Sequence, residues 1–220
     1  MPASRFERFL PVSGFIAAVL FALPMFLTGS LPTASDDPAK MVRWFEDHQN
    51  AASVAGLSLA YFAVFMVFFT VGLRQALRSG EPGESTYSSA AFAGGLLVAF
   101  TQLLSAAGLM GAATAADKGQ RAAVTTMGFA DEFGWIPWAA GSAVLLIGAG
   151  LGGMRTAVLP KWLGVVTAIL GVLCLTGPTG IGVFMLTPLW LIAVSVVLLR
   201  RVRAGNGAPV PPTGVVSAAG

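Results

Sequence analysis

From Gly134 to Leu199 the chain carries two charges, Arg155 and Lys161, and both lie in the stretch Gly153-Met-Arg-Thr-Ala-Val-Leu-Pro-Lys-Trp-Leu-Gly164. The apolar runs on either side hold no charge at all. A cationic side chain at the centre of a bilayer helix costs about 3 kcal/mol on insertion scales. The stretch therefore reads as a positive turn at one face of a membrane, joining two spans.

Composition agrees. With 55% hydrophobic and 10% charged residues, the chain departs from soluble domains, in which about 25% are charged. A length of 220 residues suits one bundle and leaves no room for a second sizeable domain. The formal charge of +3 does not point to nucleic acid, because the Lys and Arg residues are dispersed and mostly flank apolar runs. Cys174 is the one cysteine, so neither an intrachain disulfide nor a cysteine metal site is available.

Taken in order, the sequence predicts an all-α polytopic membrane protein with six transmembrane helices, spanning about 11–29, 51–73, 88–112, 134–152, 162–176 and 181–199. The first run is long for a signal peptide and lacks an Ala-x-Ala site, so it reads as an uncleaved helix that Pro24 bends. Asp37 before Pro38 forms a strong helix start. Met41, Trp44, Phe45 and His48 follow at helical spacing, and Arg43 can pair with Asp47. This reads as a short amphipathic helix lying in the interface within the first outer loop, with Trp44 at headgroup depth.

Residues 113–133 read as a polar outer loop, and Trp135 and Trp138 as an aromatic belt opening the fourth span. Gly141, Gly148 and Gly152 share one face of that span, a small-residue stripe suited to close helix packing within the monomer. The fifth span is short for a crossing, but a re-entrant segment there would leave Arg200, Arg201 and Arg203 on the outer face. Residues 204–220, rich in Gly and Pro, read as a disordered cytoplasmic tail. With both termini inside, nine of the thirteen Lys and Arg residues lie on the inner face; Lys40, Arg43, Lys118 and Arg121 are the outer ones. That imbalance sets the orientation and a plasma-membrane location.

A shift of 81 residues brings Thr33-Ala-Ser-Asp36 onto Thr114-Ala-Ala-Asp117 and Gly72-Leu-Arg74 onto Gly153-Met-Arg155. The helices between these landmarks match poorly, and the third hairpin with its Gly177–Gly180 turn does not fit.

Motifs for catalysis are missing. No Gly-rich phosphate loop and no zinc-protease pattern occurs, and His48 is the single histidine. Rhomboid-type proteolysis would need Gly-x-Ser-Gly and an intramembrane histidine, whereas Ser142 sits in Ala-Gly-Ser-Ala. The spans hold no Asp, Glu, His, Lys or Arg of the sort that couples transport to ions. Asp36, Asp37, Glu46, Asp47, Asp117, Asp131 and Glu132 read as a solvated acidic face rather than a metal site. The expectation is no catalytic residue, no cofactor and no metal.

Neutral polar residues remain. Gln102 should seek a partner helix, Pro188 frees the carbonyl of Phe184 for Thr187 to satisfy, and Trp190 lies deep in span six. If spans three and six face each other, Gln102, Thr187 and Trp190 would line one cavity for a small lipophilic molecule. The leading expectation is a non-enzymatic membrane protein, structural or ligand-binding. The alternative is a small permease or a subunit of an efflux system. The lipid bilayer is the one partner the residues require.

Ala157-Val-Leu-Pro-Lys-Trp-Leu-Gly164, Asp37-Pro…Trp44-Phe45…His48 and Leu189-Trp-Leu…Ser195…Leu199-Arg-Arg201 together resemble uncharacterised actinobacterial integral membrane proteins. These are similar to a six-span family known as a domain of unknown function. The resemblance spans residues 5–203 and implies six helices in the plasma membrane, with no activity, cofactor or site to carry over.

Overall fold

A computed structural model of the chain describes residues 5–29, 31–32, 36–81, 83, 85–177 and 179–205, the side chains of 5–8, 129–132 and 205 set aside. Among the described residues the structure is all α. Eight helices run α1 (Arg5–Leu27), α2 (Pro38–Asp47), α3 (Gln49–Arg78), α4 (Thr86–Asp117), α5 (Arg121–Phe133), α6 (Trp135–Arg155), α7 (Lys161–Cys174) and α8 (Thr179–Gly205).

Five of them, α1, α3, α4, α6 and α8, are long and apolar enough to cross a membrane. The fifth of the six expected spans, 162–176, falls on α7, a shorter apolar helix. Its 14 residues extend about 21 Å at 1.5 Å per residue, short of a hydrocarbon core of about 30 Å. Conversely α3 and α4, with 30 and 32 residues, extend about 45 Å or more and must overrun that core. The remaining predicted spans keep their order, with ends displaced by one to six residues.

Helix packing closes a ring: α1 against α3, α3 against α4, α4 against α6, α6 against α7, and α8 back against both α7 and α1. Three antiparallel hairpins, α1/α3, α4/α6 and α7/α8, thus form the bundle. Its outward surface is apolar. Phe26, Phe100, Trp162, Ile169, Val172 and Leu189 are all more than half exposed. Soluble proteins rarely present an apolar belt of this kind, and lipid is the solvent that accepts it. The chain is a multi-span helical membrane protein.

The ring has two unlike ends. At the basic end α3, α6 and α8 finish with Arg74, Arg78, Arg155, Arg200 and Arg203, and α7 begins at Lys161. Arg74 stacks over Phe92 at 5.2 Å and Arg155 over Tyr87 at 4.9 Å. Glu81 caps α4, accepting from Ser88 N at 2.9 Å and Ser88 Oγ at 2.7 Å. The turn after α6 holds Ala157 at φ 52°, and Arg201 donates to its carbonyl.

At the opposite, capped end, α2 and α5 cover the overrunning turns of α3 and α4. Asp37 caps α2 through Ala39 N at 2.9 Å, with Pro38 in the first turn. The face of α2 differs from the sequence expectation. Met41, Val42 and Phe45 are buried against Ala52, Ala55, Ala106, Leu109, Ala112 and Val124, so the helix seats on protein. It does so because the protruding turns of α3 and α4 offer an apolar platform closer than the bilayer. His48 is exposed and stacks on Trp44 at 4.7 Å. Arg43 and Asp47 do not pair; Lys40 instead meets Asp36 at 2.7 Å.

The expected polar loop over 113–133 is also corrected. α4 continues to Asp117 and stops in a Schellman turn, with Gly119 at φ 66°. There Gln120 N bonds Ala115 O at 2.8 Å and Gly119 N bonds Ala116 O at 3.0 Å. α5 then folds back on α4 through Val124. The order long, short, long helix recurs in α1–α3 and α4–α6, matching the 81-residue offset, although Thr33–Ser35 lie outside the described residues. The expected disordered tail, from 206 on, lies outside them too; α8 itself reaches Gly205.

Candidate ligand cavity at the capped end

The helices that meet tightly at the basic end part towards the capped end, and sequence explains both. On α6, Gly141 and Gly148 meet α4 backbone. A Cβ at Gly141 would stand 3.1 Å from Val98 N, and one at Gly148 would stand 2.7 Å from Ala91 N. Gly150, on another face, does the same with α7, at 2.6 Å from Ala168 N. The predicted stripe is therefore packed within the chain. Before Gly141, however, α6 carries Trp135, Pro137 and Trp138, which hold α4 away.

α1 contributes a second cause. Pro24 lacks the N–H that would bond Leu20 O. Ser58 of α3 donates to that carbonyl instead, at 2.7 Å. Thr28 Oγ1 and Thr28 N both bond Pro24 O at 2.9 Å. The proline is thus accommodated by side chains, as a membrane helix requires.

Between these elements lies a cavity of about 450 Å³, within the usual size of small-molecule sites. Its apolar wall is a run of rings: Phe21 meets Phe184 at 4.7 Å, and Phe184 meets Trp138 edge-on at 4.9 Å. Thr28, Gln102 and Ser105 add polar groups, and Trp135 stands among the lining residues, 43% exposed.

Two of the polar groups are unsatisfied by the protein. Trp138 is 2% exposed, and its Nε1 has no hydrogen-bond partner. Gln102, 4% exposed, makes no hydrogen bond with another described residue, and its amide is not sealed off as the indole nitrogen is. Buried donors and acceptors are nearly always paired. The accessible carboxamide of Gln102 marks where a ligand or water would complete a polar group, whereas Trp138 Nε1 is closed off from the cavity space.

The residues singled out in the sequence divide between two places. Gln102 lines the large cavity. Thr187 and Trp190 lie further along α8 and line a separate space of about 10 Å³ with Met66, Val98 and Ser142, room for one water at most. Helices α4 and α8 both line each space: Gln102 shares the large cavity with Phe184 and Met185, and Val98 shares the small one with Thr187 and Trp190. Trp190 Nε1 is committed to Thr167 Oγ1 at 3.0 Å, and its ring packs edge-on to Phe69 at 5.8 Å. Thr187 bonds Val183 O at 3.0 Å rather than the Phe184 carbonyl freed by Pro188.

Trp138 was missed. In sequence it is one of two tryptophans in an aromatic belt, and nothing local separates it from Trp135. Burial of Trp138 depends on Phe184, which arrives from α8. No protein-family model, no curated protein and no solved structure matches this chain, so neither the six-span resemblance nor any relative assigns a ligand.

Proposed function

We propose that the protein is a non-enzymatic plasma-membrane protein that binds a small lipophilic molecule in the capped-end cavity. The observation that carries this reading is the carboxamide of Gln102, buried and without a hydrogen bond among the described residues, at a cavity of about 450 Å³. None of the described lining residues is ionisable. That favours an uncharged ligand and leaves no nucleophile–base pair for catalysis.

The same reading takes α7 as a sixth, short crossing and sets both termini in the cytoplasm. The cluster of basic residues at one end of the ring supports this, since cytoplasmic loops are enriched in Lys and Arg. On a Cys174→Ser background, a cysteine at position 118 should react with an impermeant reagent in intact cells, and one at position 78 only after lysis. The reverse pattern would overturn the orientation.

Ligand occupancy is tested with a variant that keeps Trp138 and replaces Trp44, Trp135, Trp162 and Trp190 by Phe. In nanodiscs, bromoalkanes should quench Trp138 with a saturable component. Ser105→Phe, which fills the cavity wall, should abolish that component. Quenching that rises linearly with bromoalkane in both proteins would defeat the reading.

A further inference from the structure

The polar groups of the cavity select among lipophilic ligands. Trp138 Nε1 donates and cannot accept, while Gln102 donates through Nε2 and accepts through Oε1. The indole N–H is closed off from the cavity, so the accessible donor is the Gln102 amide. A pure hydrocarbon would leave it unpaired. A charged headgroup would lose its water without meeting a countercharge among the described lining residues. A neutral oxygen acceptor satisfies the Gln102 donor.

The route in is visible beside it. A second space, about 340 Å³, adjoins the cavity and shares Ser105 and Gly134 with it. It runs between α4, α5 and α6 along Leu104, Met127, Phe133 and Pro137. Leu104 and Phe133 are 53% and 60% exposed, so this groove reaches the apolar outer surface of the ring. A molecule dissolved in the bilayer can enter sideways there, polar end first.

We propose that the site takes a neutral acyl lipid from the leaflet at the capped end. Its ester carbonyl accepts from Gln102 Nε2, and its hydrocarbon chain passes Ser105 and Gly134 into the groove between α4 and α6. This assignment rests on the reading of the capped-end cavity as a ligand site.

The test uses the full chain in phosphatidylcholine nanodiscs. The probe is a diacylglycerol carrying a diazirine in one chain, compared with its dialkyl-ether analogue, which keeps the shape and lacks the carbonyls. The ester probe should cross-link peptides containing residues 101–108 and 127–137, and unlabelled diacylglycerol should compete. The ether probe should label about tenfold less, the loss expected for about one net hydrogen bond. Gln102→Leu should bring the ester probe towards the ether level while leaving the ether signal unchanged.

If Gln102→Leu does not fold, Gln102→Met carries the same result. Equal labelling by ester and ether probes, or ester labelling indifferent to Gln102→Leu, overturns the assignment. So does cross-linking spread evenly over all lipid-facing helices. Saturable bromoalkane quenching together with equal ester and ether labelling removes the acyl ester and keeps the cavity. Linear quenching removes both readings.

Discussion

The same α4 and α6 behave differently at the two ends of the ring. Towards the basic end their backbones touch through Gly94, Gly141 and Gly148, and no side chain stands between them. Towards the capped end Trp135, Pro137 and Trp138 replace those glycines, and about 450 Å³ opens instead. The contrast teaches that close packing and open space are separated along the helix axis. Without a hydrophobic drive between helices in lipid, association relies on close packing. The glycine-packed half supplies it and lets the other half remain hollow.

The sharpest way to break the comparison is to insert bulk at each end. Gly141→Leu would push a side chain into Leu97 Cβ and Val98 N, 2.9 and 3.1 Å from its Cβ. It should cost about 3 kcal/mol, seen as a lost folded peak in size-exclusion chromatography or a large fall in Tm. Ser105→Leu, facing the cavity, should shift stability by less than about 1 kcal/mol. Equal losses would mean that the capped end is as tightly packed as the basic end.

Next in size is the brace under the Pro24 kink. Ser58→Ala orphans Leu20 O, which Ser58 holds at 2.7 Å. The expected loss is about 1 kcal/mol, within the range of interhelical hydrogen bonds in membranes. Thermal unfolding measures it, and an unchanged Tm would mean that the freed carbonyl finds another donor.

The two buried tryptophans sharpen the contrast further. Trp190→Phe leaves the Thr167 hydroxyl unpaired, whereas Trp138→Phe removes a donor that has no partner in the protein. Trp190→Phe should therefore be the costlier of the two by about 0.6 kcal/mol, the mean for a hydrogen bond between membrane helices. A larger loss from Trp138→Phe in ligand-free protein would show that its N–H is already engaged.

The smallest effect belongs to the basic-end turn. Ala157 sits at φ 52°, a conformation that costs an L-residue about 1–2 kcal/mol. Ala157→Gly relieves this but loosens the unfolded chain by about 0.4–1 kcal/mol. A net gain of about 0.5 kcal/mol should raise Tm slightly; a fall would mean that the Ala157 methyl contributes packing that offsets its strain.

What the sequence determined alone is the content of the helices and their solvent. Uncharged apolar runs leave the bilayer as the place where backbone polar groups can be satisfied within a helix. Asp37-Pro38 sets the start of α2 locally, and the glycine stripe of α6 is readable because its period is that of the helix. Gln102 stood out because a lone carboxamide in an apolar helix must find a use.

Tertiary structure decided the rest. α2 turned onto protein because α3 and α4 outrun the membrane, a length difference that becomes a platform when two long helices stand side by side. Trp138, not Trp190, borders the cavity because α7 brings Thr167 within reach of one indole and α8 brings Phe184 against the other. Gln102 and Thr187 line different spaces because Thr187 lies further along α8 than Phe184 and Met185, which reach the cavity of Gln102. Apolar helices share most of their surface chemistry, so the choice among neighbours falls to shape: the glycines that admit a backbone and the rings that hold one away.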